Sequence, residues 1–202
     1  MSNLTQAFNT AAVQEDPSET ALKLLNVIYT RRADGKLLVE STLDFRDRDM
    51  KEFPDLSNVV VEDDFLFSMN ELTSLKGAPY SVAGDFHGAL NRITDLQYLP
   101  RYIGGTADLS GNRLRSLKGA EESEVRVLNV TGNPRLKDLE NPPKVFIELQ
   151  SDFGTFKNAD DIPAQLRVSE TTRARIRATA DSMTGLTRAV IAPKTASFRR
   201  KS

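Results

Sequence analysis

Few side chains in this sequence could do acid–base or metal chemistry, and they are scattered along it. His87 is the one histidine, cysteine is absent, and the densest acidic run is the Glu-Asp-Asp triplet at residues 62–64. A metal site needs several ligands around one point, and acid–base catalysis needs groups within hydrogen-bond reach of a substrate. Because His87 has no histidine or cysteine companion, we expect it to be an outward-facing surface or contact residue.

The triplet at residues 62–64 could in principle bind a cation or transfer protons. Consecutive residues of a strand point to opposite faces, so we expect instead a solvated loop that enters a strand. The sequence also lacks a zinc-ligand cluster, a phosphate-binding glycine loop, a nucleophile elbow and a dinucleotide fingerprint. It therefore predicts a non-enzymatic protein without a cofactor or a metal.

Length and composition limit the architecture. With 202 residues, 39% of them apolar, the chain can bury one sizeable core and carry flanking segments. The absence of cysteine excludes disulfides and favours a reducing compartment or an assembled particle. The N-terminal region lacks the pattern of a signal peptide, and no apolar run is long enough for a membrane span, so we expect a soluble, non-secreted protein. For that reason we discount the glycosylation pattern Asn-Val-Thr that begins at Asn129.

An internal repeat organises the middle of the chain. Asn70, Asn91, Asn112 and Asn133 follow one another at intervals of 21 residues, and an earlier copy has Arg48 in place of the asparagine. Apolar residues recur five and three positions before each asparagine and two and five positions after it, with a shift of one position in the last copy. The first pair predicts a short strand with one inward face, and the second predicts an inward-facing return path. Such coils stack, pair their strands in parallel and bury a common core.

This spacing, together with the segments FPDLSNVVVEDDFLFSMNELTSLKGAP and NRLRSLKGA, resembles the short leucine-rich repeats of uncharacterised proteins from tailed bacteriophages. The resemblance covers about residues 36–153. It implies a leucine-rich-repeat solenoid whose parallel β-sheet has about five short strands from 21-residue coils with little repeat helix. It also implies a binding scaffold located in the virion or the host cytoplasm. Gly88 and Ala107 depart from the pattern, which usually has a large apolar residue there, so we expect looser packing around them.

The repeated asparagines are predicted to be structural. A tight turn beneath a strand leaves buried backbone groups without partners, at a cost of about 1–3 kcal/mol each. An asparagine amide can donate and accept hydrogen bonds at once. We therefore expect Asn70, Asn91, Asn112 and Asn133 to form a ladder that bonds the turn backbone within and between coils.

The two ends of the repeat domain have different characters. Residues 1–35 predict an arm and a capping helix, with Asp16 as N-cap, Pro17 at the first helical position and Glu19 completing a capping box. The apolar face of this helix is predicted to contain Ala21, Leu24, Leu25 and Ile28. Gly35 then turns the chain into the repeat domain, residues 36–153, which ends with a closing strand at residues 144–150. Residues 154–202 are predicted to form a basic extension that is partly helical, from Ser169, and partly extended.

Charge and outward-facing residues suggest how the protein binds. Residues 1–154 carry a net charge of −7 and residues 155–202 carry +6. The outward strand positions that we select as a protein-binding face are Asp44, Arg46, Asp64, Leu66, Asp85, His87, Asp108 and Asn129. Such a face repels nucleic-acid phosphates and favours a basic or polar protein partner, although an ordinary solvated sheet face has the same composition.

Two classes of function remain open from the sequence. The leading hypothesis is a protein–protein interaction module that anchors into a larger assembly, either as a virion component or as a binder of a host protein. The alternative is binding to nucleic acid through the basic extension. The same extension could also reach the outward aspartates of its own chain or of another copy in a homo-oligomer. Its predicted contact residues are Arg173, Arg177, Arg188, Lys194, Phe198, Arg199, Arg200 and Lys201.

Overall fold

The structure is a computed structural model that describes residues 15–168 and, beyond them, residues 172, 174, 175, 177 and 178. From Leu37 to Ser151 the chain winds through about five turns of a β-solenoid whose strands pair in parallel. Successive coils are offset by 22 residues from Leu43 to Phe65 and by 21 residues from Phe65 to Phe86. The predicted solenoid, its coil length and its parallel sheet are confirmed.

Each coil contributes two strand segments to the sheet. In the first three coils a bend separates them, and in the last three they merge into one strand. The bounds are β1 (Thr30–Arg31), β2 (Leu37–Val39), β3 (Leu43–Asp44), β4 (Val59–Val61), β5 (Phe65–Leu66), β6 (Ser81–Val82), β7 (Phe86–His87), β8 (Tyr102–Asp108), β9 (Glu124–Asn129), β10 (Val145–Ser151) and β11 (Gly154–Phe156). Strands β1 and β11 pair antiparallel with β2 and β10 at the two ends of the sheet. The predicted closing strand is therefore the sixth strand of the parallel ladder.

The core consists of columns of equivalent residues from successive coils. The first segments bury Val39, Val61, Val82, Ile103 and Val125, which neighbour one another through the strand register. The second segments bury a column that begins with Leu43, Phe65 and Phe86, and the return paths add leucines and isoleucine at the positions after each asparagine. Since a single coil could not cover its own apolar interior, burial couples the stability of neighbouring coils.

Aromatic packing explains the small residue at Gly88. The ring of Phe67, from the preceding coil, occupies the space beside this glycine, and a Cβ atom at residue 88 would lie 2.1 Å from Phe67 Cε2. Phe67 also packs edge to face against Phe86, with ring centroids 4.7 Å apart. The expectation of looser packing at Gly88 is therefore wrong, because a large side chain one coil earlier fills the place of the missing one.

We predict that Gly88→Ala destabilises the fold by about 1–3 kcal/mol, since the added methyl group overpacks a filled core. In a Phe67→Leu background the same substitution should cost less, because the smaller side chain leaves room for the methyl group. Denaturant unfolding of the two single variants and the double variant measures this coupling. Additive effects would show that Phe67 does not restrict residue 88.

The repeated asparagines bond the backbone on the inner side of each strand end. Asn112 donates from Nδ2 to the carbonyl oxygens of Leu109 (3.1 Å), in its own coil, and of Gly88 (2.9 Å), in the preceding coil. Its Oδ1 accepts from the backbone N–H of Ile93 at 3.0 Å, also in the preceding coil. The amides of Asn91 and Asn133 make the equivalent three bonds.

Asn70 bonds the first coil in the same way and makes one further hydrogen bond. Its Nδ2 donates to the carbonyl oxygens of Phe45 and Phe67, and its Oδ1 accepts from the N–H groups of both Arg48 and Met50. All four asparagines are at least 92% buried, with exposed fractions of 1–8%. Each amide therefore completes the turn of the coil before it, and the first coil, with Arg48, has no preceding turn to complete.

We predict that Asn112→Ala lowers the free energy of unfolding by about 1–3 kcal/mol for each backbone group that it leaves buried without a partner. Asn70→Ala should cost at least as much, because that amide accepts from two N–H groups. Thr73→Ala, at an exposed position of the return path, serves as the control and should change stability by no more than about 0.5 kcal/mol. Equal unfolding midpoints for Asn112→Ala and the control would contradict the structural role.

The N-terminal helix is shorter than the sequence predicted. Helix α1 spans Pro17–Leu24, with Pro17 in its first turn and Asp16 as N-cap accepting from the backbone N–H of Ser18. The helix ends where Asn26 adopts a left-handed conformation (φ 53°) and the N–H of Val27 returns to the carbonyl of Leu22. Sequence periodicity did not reveal this stop.

The predicted apolar face of α1 is partly wrong. Ala21 and Leu22 are buried against the core and Leu25 is half-buried, but Leu24 and Ile28 are 83% and 89% exposed. Glu19, expected in a capping box, instead accepts a hydrogen bond from the Tyr29 hydroxyl and contacts Arg31. The side chain of Ser18 accepts from the N–H of Asn58, which joins the helix to the second coil.

At the other end, the chain folds back after β10. Gly154 (φ 130°) stands where a further asparagine would fall, and it begins β11. Ile162 is fully buried, and the carbonyl of Leu166 accepts from the N–H of Leu139 in the last return path. The predicted helix start at Ser169 lies outside the described residues, whereas residues 172, 174, 175, 177 and 178 have helical backbone.

Candidate functional site

The solvent side of the sheet, called the outward face below, carries a row of paired residues across five coils. The strand register aligns Asp44, Leu66, His87, Asp108 and Asn129, and we call this set the central row. Asp44 is exposed and the other four are half-buried. The parallel stack thus brings together five of the eight residues that the sequence selected for the outward face.

Two further aspartates lie at the bend between the strand segments. Asp64 Oδ1 accepts from the backbone N–H of Asp85 at 2.8 Å, and Asp85 Oδ1 accepts from the N–H of Thr106 at 2.7 Å. Each carboxylate therefore bonds the next coil, as each asparagine bonds the preceding one. These aspartates are structural acceptors as well as outward charges, a role that sequence reasoning missed.

Glycines make room for these carboxylates. A Cβ atom at Gly84 would lie 2.3 Å from Asp64 Oδ1, and one at Gly105 would lie 2.1 Å from Asp85 Oδ1. Both pairs recur at the repeat interval of 21 residues, which is the signal in the sequence that could have revealed this second ladder. In the next coil the equivalent residue is Thr106 instead of an aspartate, and there the two strand segments join into the continuous strand β8.

His87 stands between two carboxylates on the outward face. Its Nε2 lies 3.3 Å from Asp85 Oδ2, and its Nδ1 lies 4.0 Å from Asp108 Oδ2. Asp108 Oδ1 in turn accepts from the N–H of Ser110 and from Nδ2 of Asn129. Since the side-chain amide of Asn129 is engaged in this way within β9, the structure gives no support to glycosylation there.

Asp44 and Arg46 form a local ion pair at the first coil. Arg46 donates to both carboxylate oxygens, at 3.0 and 2.6 Å, and its backbone N–H donates to Oδ1. These hydrogen bonds lower the pKa of Asp44 to about 2. Arg46 therefore offsets the negative charge of Asp44, and the acidic character of the face comes mainly from later coils.

We predict that Arg46→Ala raises the pKa of Asp44 from about 2 toward its ordinary value of 3.8. A lowered pKa stabilises the fold above the ordinary value, and this contribution is lost as the pH falls toward about 2. The stability difference between wild type and variant should therefore shrink across that interval. Titration of the carboxyl signal by NMR tests the shift, with Arg92→Ala, on the return path, as the control. An unchanged Asp44 midpoint in Arg46→Ala would contradict the assignment.

An apolar rim borders the face where the second strand segments end. Met69 and Leu90 have left-handed backbone, with φ of 60° and 59°, and their side chains are 50% and 61% exposed. The equivalent positions of the next two coils are Gly111 and Gly132, which adopt this conformation without strain. We call Met69 and Leu90 the apolar rim. Sequence reasoning missed it because side-chain pattern does not reveal the sign of φ.

A shallow apolar groove lies at the other side of the face. It has a volume of about 240 Å³ and lies over the last three coils. Tyr102, Val145 and Ile147 are each at least half exposed beside it, and Glu124 and Arg126 complete its polar lining. The outward face therefore places acidic side chains between two sets of exposed apolar ones.

Of the basic-extension contacts predicted from sequence, Arg177 is described and exposed, on helical backbone. Arg173, Arg188, Lys194, Phe198, Arg199, Arg200 and Lys201 lie outside the described residues. Among the described residues, no group of three or more histidine or acidic side chains is arranged to hold a metal ion. No helix in that part of the chain has the length and apolar character needed to cross a membrane.

The chain was compared with protein-family models, curated proteins and solved structures, and none of them matches it.

Proposed function

We propose that this protein is a non-enzymatic protein-interaction module, encoded by a tailed bacteriophage, that docks a partner on its outward face. In this proposal the solenoid is of the leucine-rich-repeat type and α1 caps its first coils. The partner is a virion protein or a host protein, so the module acts in the particle or in the host cytoplasm.

The repeat type is supported by the asparagine ladder and by the short strand in every coil. The ladder has one amide per coil, and that amide bonds its own strand end and the turn of the preceding coil. The capping role is supported by the burial of Leu22 and by the hydrogen bond from the Asn58 N–H to Ser18. The phage origin rests on the resemblance of the repeat segments alone.

The apolar rim is the observation that carries the binding function. A left-handed conformation costs a residue other than glycine about 1–2 kcal/mol. Met69 and Leu90 accept this cost while keeping half or more of their side chains in water, so burial within the chain offsets little of it. Strain of this kind clusters at binding sites, and at Met69 and Leu90 it falls beside the acidic side chains of the outward face, where contact with a partner would compensate for it.

The chemistry of the face indicates which partner fits. Asp64, Asp85 and Asp108 form an acidic centre, with Met69 and Leu90 on one side and the groove at Tyr102 on the other. A protein segment with basic and apolar side chains complements this arrangement, whereas nucleic-acid phosphates would be repelled. Nucleic acid remains the alternative ligand for the basic extension alone.

The proposal is tested by removing the rim while keeping the carboxylates. In the full chain, Met69→Gly/Leu90→Gly relieves the backbone strain, so the unfolding midpoint should stay equal or rise. Binding should weaken by about tenfold or more, as expected for the loss of apolar anchors. The readout is quantitative mass spectrometry of partners captured from producing cells and from purified phage particles.

Tyr98→Gly is the matched control, since Tyr98 is also left-handed and exposed but lies on the return path, beside Thr73 and Gly77. It should retain every partner of the wild type. If the rim variant and the wild type capture equal amounts of partner protein, the proposed docking face is wrong. Salt-dependent retention of the full chain on DNA, with no protein partner lost in the rim variant, would favour the nucleic-acid alternative instead.

A further inference from the structure

The return paths of the fourth and fifth coils carry a group of basic side chains. Arg113 and Arg115 stand on either side of a buried leucine in the fourth coil, and Arg135 and Lys137 do so in the fifth. All four basic residues are exposed, and we call them the basic grid. Because they lie on the return path and not on the strands, they belong to a surface separate from the outward face.

Stacking of the coils brings the two basic pairs side by side. Since Leu114 and Leu136 occupy equivalent buried positions of successive coils, each basic residue of one pair has a basic neighbour in the other. Neighbouring coils are about 4.8 Å apart, and alternate residues of an extended chain are about 7 Å apart. The backbone N–H of Arg113 donates to the carbonyl oxygen of Ile93 at 3.0 Å, which holds the fourth coil against the third. The fold therefore fixes the positions from which the four charges project.

The charges of the basic grid have no carboxylate partner in the described part of the chain. One coil earlier, the equivalent Arg92 donates to Glu71 of the second coil at 2.7 Å. No member of the basic grid forms an ion pair with a described residue, and Lys137 donates to a backbone carbonyl, that of Pro134. Like charges at these separations repel one another, and carboxylates from a ligand would offset that repulsion.

Spacing and composition favour an acidic protein segment as this ligand. A guanidinium group binds a carboxylate through two parallel hydrogen bonds. An extended peptide repeats every two residues, as the grid positions do within each coil, so acidic side chains at alternate positions would meet both members of a pair. Proteins that bind single-stranded nucleic acid combine basic with aromatic side chains for base stacking. Residues 92–95, 113–116 and 135–138, which make up the grid and the equivalent part of the preceding coil, include no aromatic residue.

We propose that the basic grid binds an extended acidic segment of a protein partner, with carboxylates at alternate positions. The inference goes beyond the proposed function and does not depend on it, because the grid and the outward face share no residue. Together the two surfaces have opposite charge. A module that holds a basic partner on one and an acidic partner on the other is a bridge between two proteins.

The test uses the full chain and, as the probe, a fluorescein-labelled peptide of six Glu-Thr repeats. Its fluorescence anisotropy should show binding to the wild type that weakens about tenfold or more in Arg113→Glu/Arg115→Glu, because like charges then face each other. Lys51→Glu/Lys76→Glu is the matched control, since it changes the net charge equally at exposed return-path positions of earlier coils, and it should bind like the wild type. A peptide of six glutamates followed by six threonines should bind more weakly than the alternating one, because alternate residues of an extended chain face the grid.

NMR locates the bound peptide and unfolding checks the variant. The amide signals of the basic grid should shift when the alternating peptide is added to the wild type, whereas that of Thr73 should not. The unfolding midpoint of Arg113→Glu/Arg115→Glu should stay equal or rise, because the substitutions remove like-charge repulsion at exposed positions. Weaker binding by this variant would then reflect the lost charges and not a lost fold.

Four results would overturn the inference. One is equal affinity of the wild type, the grid variant and the control variant for the alternating peptide. Another is equal binding of the two peptides, which would remove the extended register. A third is a set of signal shifts confined to the basic extension, which would place the peptide there. The last is absence of peptide binding together with salt-dependent DNA binding that Arg113→Glu/Arg115→Glu abolishes, which would assign the grid to nucleic acid.

Discussion

The fold depends on hydrogen bonding of the backbone that turns inward at the end of each strand. Those N–H and C=O groups are shielded from water by the neighbouring coils, and unpaired they would destabilise each turn. A single asparagine per coil supplies two donors and an acceptor at the required point. Because each amide also reaches the preceding coil, a coil is complete only when its successor is in place. This requirement links the coils more specifically than apolar burial alone.

A second set of side-chain bonds explains the shape of the sheet. Asp64 and Asp85 accept from the next coil at the bend, and Gly84 and Gly105 leave room for their carboxylates. The acidic face is therefore partly a consequence of structure: carboxylates are needed at the bend, and their negative charge projects into solvent. Substituting these aspartates would alter folding as well as the proposed docking, so Met69 and Leu90 are the better probes of that proposal.

The proposed docking face combines two kinds of chemistry that contribute unequally to binding. Exposed ion pairs contribute only about 0.2–1 kcal/mol each, so the carboxylates alone would give a partner little affinity. Apolar anchors usually carry most of the binding energy at an interface, and Met69 and Leu90 are the exposed apolar side chains beside the acidic centre. In the proposed function the charges therefore select the partner and the apolar rim holds it.

Periodicity in the sequence by itself determined the solenoid, the coil length, the inward columns and the places of Asn91 and Asn112, because each coil repeats one local solution to the same burial problem. Other features depended on contacts between coils. The sequence pattern indicates a packing defect at Gly88, but Phe67 of the preceding coil fills that space. The pattern also predicts too long a helix α1, because the left-handed backbone of Asn26 that ends the helix has no signature in the apolar spacing. The conformation of Leu90 and the pairing of Asp85 with Thr106 were likewise decided by the tertiary structure. Sequence spacing reports which side chains share a face, whereas backbone dihedral angles and the reach of a side chain into the next coil are set only when the coils stack.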